Sequence, residues 1–417
     1  MRLSILDYVP IFEDRSAHEA FQHSVELAQR AEQLGYMRYW VAEHHQVRSV
    51  ASSAPEMVMM SLLEQTKKIR IGSGGVMLPH YSPYKVAEQF KIMEARHPRR
   101  VDMAIGRSPS FKNVNAALNE NKEEKLDFET QLDDLKKYFS DNIDDPHRFK
   151  SLLATPLIPT APEMYILGMS ERSAKLAGRR GLPFVIAQMG QSSKSIDEVI
   201  KVYRDEFERW HGRYGGKSDE DVSDSFVGKI GEILEPDVSE RFDEDSEGRS
   251  NDGGAEENFV GHARKRSKES FGEVLYGGHE EYSRAPVHEG AEENFGGAKP
   301  YVILATFVVT AGNDEKVERL LSALQLWLLR IHYLDQPHFY PSIETAEHRV
   351  YSDRESEKLE KNKRRIIYGT PREVSRELLE LKHRYGVDEL MILPHVYGED
   401  ARLELIELLA HELNLGS

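Results

Sequence analysis

The chain has 417 residues, with 71 acidic against 55 basic side chains, a formal net charge of −16 and no cysteine. That balance excludes a nucleic-acid or anionic-membrane surface as the default partner, and the missing thiols exclude disulfides, thiolate metal sites and cysteine nucleophiles. Small-molecule chemistry in a reducing cytoplasm suits what is left, and no apolar run approaches the ~20 residues of a membrane span.

The opening MRLSILDYVP reads as a strand rather than as a charged segment leading into a signal-peptide core. Short apolar runs bounded by turn residues then recur at Leu3–Leu6, Tyr39–Ala42, Ile69–Gly74, Val101–Ile105, Met164–Leu167, Phe184–Ala187, Val302–Val309 and Glu389–Leu393. Between them lie helical patterns over 17–34, 55–65, 84–95, 173–180, 196–210, 314–331 and 371–385. The first carries Phe21, Val25, Ala28 and Ala31 on one face and stops at Gly35. Strands that are continuously apolar and alternate with helices predict a parallel sheet covered by helices, most simply a (β/α)8 barrel, with an open doubly wound sheet as the other arrangement.

One segment breaks the pattern. Gly212 to Lys299 holds 15 of the 29 glycines and 22 acidic against 11 basic residues, and repeats Gly-Ala-Glu-Glu-Asn-Phe at 254–259 and 290–295. It reads as an acidic, disordered or loosely ordered insertion between helix and strand, which divides a barrel of residues 1–211 and 300–417. A loop in that position is expected on the face opposite the βα-loops that carry activity. The charged segment 332–365, with His338 and Tyr340, is expected to cover the mouth as a lid.

Candidate chemistry lies at strand exits. Tyr39-Trp-Val-Ala-Glu-His-His45 places two histidines after the second strand, and alternation lets only one point squarely into a barrel mouth. Either they are loop histidines with structural hydrogen bonds or one of them serves the mouth; zinc-ligand spacing is missing. Arg107 follows the fourth strand and suits either an ion pair or a phosphate. The fifth strand runs through Leu167-Gly-Met-Ser-Glu-Arg-Ser173 straight into a helix, where Ser170 and Ser173 serve either as ordinary caps or as phosphate ligands. No G-x-G-x-x-G fingerprint of a dinucleotide site follows any strand, although Gly72, Gly74 and Gly75 interrupt the third. Glycine inside a strand usually marks a bulge or a close approach to the backbone.

Taken together, Tyr-Trp-Val-Ala-Glu-His-His, Arg-Ile-Gly-Ser-Gly-Gly-Val-Met-Leu-Pro-His-Tyr-Ser-Pro with Ala87-Glu-Gln-Phe, Ile-Gly-Arg, Arg-Gly-Leu-Pro183 and Tyr368-Gly-Thr-Pro371 resemble the bacterial luciferase-like flavin monooxygenases. The resemblance spans 1–211 and 300–417. It implies a (β/α)8 barrel that uses reduced FMN, supplied by a separate flavin reductase, and O2 to oxidise a small organic substrate through a flavin C4a-hydroperoxide. It also implies a non-prolyl cis peptide at Gly74-Gly75 under the flavin ring, a phosphate held by Arg107, Ser170 and Ser173 with Gly168 and Met169 beside the flavin, and His44 as the catalytic proton carrier. Met169 and Gly106 stand where luciferase itself has a glutamate and a cysteine, which implies a non-luminescent enzyme. Relatives that transfer hydride with F420, and non-catalytic flavin-binding relatives, define the alternatives. Family members pair through helices near Pro55–Gln65, and the apolar stripe Met57, Val58, Met59, Met60, Leu62 and Leu63 predicts a homodimer through that helix.

Overall fold

A computed structural model describes residues 1–108, 110–120, 122, 126–143, 147–188, 195–212, 299–331 and 336–416. In chain order the elements are β1 (Leu3–Asp7), α1 (Ala17–Leu34), β2 (Arg38–Val41), α2 (Pro55–Gln65), β3 (Arg70–Met77), α3 (Pro83–Arg96), β4 (Val101–Gly106), α4 (Lys112–Leu118) and α5 (Phe128–Ser140). They continue with β5 (Glu163–Leu167), α6 (Glu171–Arg179), β6 (Phe184–Ala187), α7 (Ile196–His211), β7 (Val302–Thr310), α8 (Asp314–Arg330), α9 (Ile343–Glu347), α10 (Asp353–Lys363), β8 (Ile366–Gly369), α11 (Pro371–Tyr385), β9 (Glu389–Leu393) and α12 (Glu399–Glu412).

Local chemistry sets the helix ends. Ser16 caps α1 in a reciprocal capping box with Glu19, and Gly35 closes the helix in the left-handed region at φ 85. Ser195 with Glu198 does the same for α7, and Thr370 with Glu373 for α11, where Pro371 occupies the first helical position.

The strands pair in parallel from β1 through β6, then β6 with β7, β7 with β9, and β9 back to β1. Eight strands therefore close into the expected (β/α)8 barrel. Strand β8 is an addition: it pairs with β7 from Phe307 to Thr310, starting at the residue where β9 pairs last and beyond the last β6 pair at Ala305. Of the expected insertion 212–299, residues 213–298 lie outside the described residues, and their flanks are the end of α7 and the approach to β7.

The lower barrel interior is charged rather than apolar. Arg38 donates from Nε to both oxygens of Glu389 at 3.0 Å and from Nη1 to Asp102 at 2.9 Å. Asp102 also accepts from Arg70 Nε and from Trp40 Nε1, each at 2.8 Å. Ser4 and Tyr301 complete the shell of Glu389. Burial alone would raise the Asp102 carboxyl, but Arg38 and Arg70 outweigh it and hold it below the usual carboxylate range. Each buried charge is thus met by an opposite charge or a hydrogen bond, as burial requires.

Helix α2 turns most of its stripe inward. Val58, Met59, Leu62 and Leu63 are buried within the chain, while Met57 is 70% exposed. None of the described helices is long and apolar enough to cross a membrane.

Candidate active site

The C-terminal ends of the barrel strands enclose a cavity of about 420 Å³. Residues Leu6 and Tyr8 enter from β1 and its exit, Trp40 from β2 with Glu43 and His44 just beyond, and Gly74, Gly75 and Met77 from β3. Gly106, Arg107 and Ser108 come from the end of β4, Leu167, Gly168 and Met169 from the end of β5, and Val185, Ala187, Ala305 and Met391 complete the wall.

The Gly74-Gly75 peptide is cis, as the resemblance implied, and the β3–β4 register shifts there between Gly74 and Val76. The glycines themselves have a reason the sequence did not disclose. A Cβ on Gly72 would stand 2.5 Å from the Trp40 indole, one on Gly74 2.4 Å from a methyl of Leu6, and one on Gly75 2.5 Å from the Ala104 carbonyl oxygen. What approaches this backbone closely is the barrel's own interior, before any ligand enters.

His44 lines the cavity and His45 does not. The His44 backbone N–H donates to the Ser52 carbonyl at 2.9 Å, and its ring meets Tyr8 edge to face at 4.4 Å. His45 instead places Nε2 2.7 Å from Glu43. Glu43, which the sequence reading did not single out, is buried in the wall; it accepts from the Tyr81 hydroxyl at 2.6 Å and from the Met77 backbone N–H at 2.8 Å. That second bond ties the histidine loop to the rim of β3.

Arg107 has no acidic partner among the described residues, and burial together with the positive charge of Arg172 lowers its pKa. A guanidinium on the cavity wall without an acidic partner among the described residues, with the charge of Arg172 acting on it, suits an anion. Ser170 and Ser173 stand just beyond the lining residues. Ser170 caps α6 by accepting from the Ser173 N–H, and the two hydroxyl oxygens are 3.2 Å apart. Gly168 is required beside them, because a Cβ there would fall 2.3 Å from that of Ser173. Met169 is 37% exposed at the mouth. The residues predicted from sequence are therefore brought to one end of the barrel, with Ser170 and Ser173 at its edge.

No described residue of the segment expected as a lid lines the cavity; the segment is anchored through Tyr340. Tyr340 is buried; its N–H donates to the Ile11 carbonyl and its hydroxyl to the His395 carbonyl, both at 2.7 Å. Its ring stacks on Trp327 at 5.9 Å, and Trp327 donates to Ser49 at 3.0 Å. Residues 332–335 lie outside the described part.

The family model described as luciferase-like monooxygenase matches residues 1–221, more than half of the chain. The chain belongs to the luciferase-like monooxygenase family. Among relatives of the family it is 32% identical over 413 residues to the Bacillus subtilis (strain 168) protein YceB, covering 98% of both chains. It is 42% identical over 210 residues to an N-acetyl-S-alkylcysteine monooxygenase of the same organism, an alignment covering 50% of this chain and 62% of that one. Among solved structures, apo-MsnO8 superposes with a TM-score of 0.69 at 26% identity, covering 100% of this chain and 99% of the other.

Proposed function

We propose that the protein is a non-luminescent monooxygenase that binds reduced FMN, received from a separate flavin reductase, and oxidises a small organic substrate with O2. The observation that carries this reading is the pairing, across one apolar cavity, of an unneutralised Arg107 with His44, the cis Gly74-Gly75 peptide lying between them in the chain. Membership of the family and the similarity to a named monooxygenase support oxygen transfer over hydride transfer.

The residues fit FMN. Arg107, with Arg172 beside it and the hydroxyls of Ser170 and Ser173 at the start of α6, would receive the phosphate. The backbone at Gly74 and Gly75 and the side chains of Leu6, Val185, Ala187 and Met391 would bound the ring. Bound reduced flavin supplies the electrons that activate oxygen. The apolar wall keeps water away from the reacting atoms, and His44, fixed through Ser52 and Tyr8, gives or takes a proton at its ring nitrogen.

His44→Ala tests the reading. FMN affinity should stay within a few-fold, while product from a panel of neutral ketones and thioethers falls by roughly 10²- to 10⁴-fold and hydrogen peroxide rises in its place. Failure of the unmodified protein to bind FMN, or an unchanged product yield in the variant, would refute it.

A further inference from the structure

Tyr8 is unlike the other aromatic residues around the cavity. Its ring is gripped by His44 at 4.4 Å, His395 at 5.1 Å, Trp327 at 6.1 Å and Phe307 at 6.3 Å, so its direction is fixed by packing. It lines the cavity, yet nothing among the described residues hydrogen-bonds its hydroxyl. A phenol in such a place ordinarily finds a partner. The backbone beside it is also unusual. Val9 has φ 53, a left-handed conformation that a β-branched residue rarely adopts. The buried Asp7 carboxylate enforces it, accepting the Val9 N–H at 2.8 Å while Arg402 holds the same carboxylate from α12. Backbone outliers of this kind cluster at functional sites, and this one sets the exit of β1 that carries Tyr8.

Two other polar side chains of the cavity lining are already engaged. Trp40 gives its N–H to Asp102, and Glu43 is committed to Tyr81, His45 and the Met77 N–H. Leu6, Val185, Ala187, Ala305 and Met391 supply the apolar lining, which would meet flavin ring and substrate alike, while the cation Arg107 is taken by the flavin phosphate in the proposed function. With Arg107 taken by the phosphate, an anionic substrate head would lose its hydration here with no fixed cation to meet it, and the Glu43 carboxylate is already committed to its donors.

Resting on the proposed function, we propose that the Tyr8 hydroxyl anchors the substrate by donating to an uncharged acceptor atom, and that the chamber therefore takes compact neutral molecules such as ketones, ethers or thioethers. Burial raises the phenol's pKa, so it keeps its proton and remains a donor at neutral and alkaline pH.

The test is ligand-observed NMR titration of 2-heptanone and of heptanoate, on the flavin-free protein and again with oxidised FMN present to occupy Arg107. With FMN present, heptanoate should bind at least about tenfold more weakly than 2-heptanone. Tyr8→Phe, which keeps the ring contacts, should weaken 2-heptanone about three- to tenfold with or without FMN, and thermal melting should confirm that the variant is folded. Equal binding of the two ligands to the FMN-loaded protein, or an unchanged 2-heptanone affinity in the variant, overturns the proposal. Absence of FMN binding is read separately, counts against the proposed function, and leaves the flavin-free comparison to decide the role of Tyr8.

Discussion

Asp102→Ala removes a single carboxylate that serves three donors at the floor of the cavity. Arg38 and Arg70 lose an ion pair, and the Trp40 indole N–H is left buried without its acceptor. Breaking a buried ion pair by deleting one partner costs about 3–5 kcal/mol. Here Arg38 keeps Glu389 at 3.0 Å and Arg70 keeps Glu163 at 3.2 Å, so the loss belongs at the lower end, about 3 kcal/mol. Guanidinium denaturation should show it as a lower midpoint with unchanged slope. The sign with pH follows from the lowered carboxyl. Its contribution is present above the unfolded value near 3.9 and is lost as pH falls through the lower folded value, so the gap between wild type and variant should close in acid below about pH 4. A loss under about 1 kcal/mol, or a gap independent of pH, would mean that solvent screens this cluster and that the floor is not held by charge.

Arg107→Ala should weaken FMN about 10- to 100-fold while leaving riboflavin almost unchanged, as fluorescence titration would report; equal losses would make the arginine structural. The His23 imidazole is buried with neither nitrogen hydrogen-bonded to a described residue, and burial, reinforced by Arg402, pushes its pKa down to about 3. Between pH 6.5 and that value the unfolded chain binds a proton that the folded one refuses, so stability should fall by roughly 1.4 kcal/mol per unit as pH drops, and His23→Leu should flatten the slope in urea melts. Met57 on α2 and Ile92 on the adjoining α3 remain exposed; light scattering should find a dimer, and Met57→Lys should shift it towards monomer.

The barrel was legible because a strand covered on both faces is written as an unbroken apolar run, and eight such runs stood out between helical patterns. Strand β8 escaped notice: Ile366-Ile-Tyr-Gly369 is four residues long and leads directly into the Thr370-Pro371 helix start. His44, Arg107, Gly74 and Gly75 could be picked out because several motifs in fixed order carry more information than any one. Glu43, Trp40 and Tyr8 could not. A buried carboxylate and an inward indole acquire their roles from Met77, Tyr81 and Asp102, partners tens of residues away, and no local spacing announces such a contact. Likewise, the α2 stripe gave no sign of how much of it the chain would cover by itself.

Strand β7 releases β6 after Ala305 and β9 after Phe307, and from there to Thr310 its ladder runs to β8 alone. Behind the lining residue Tyr8, the support next to β7 is a mosaic of rings, Phe307, Trp327, Tyr340 and His395, packed on one another. A wall of that sort can be retiled. Swapping one ring for another would reshape the chamber without slipping the register of any strand, since register is held by the ladder and not by these side chains. Divergence between members of this fold that handle different molecules should therefore concentrate in this panel, while the charged floor beneath it stays as it is.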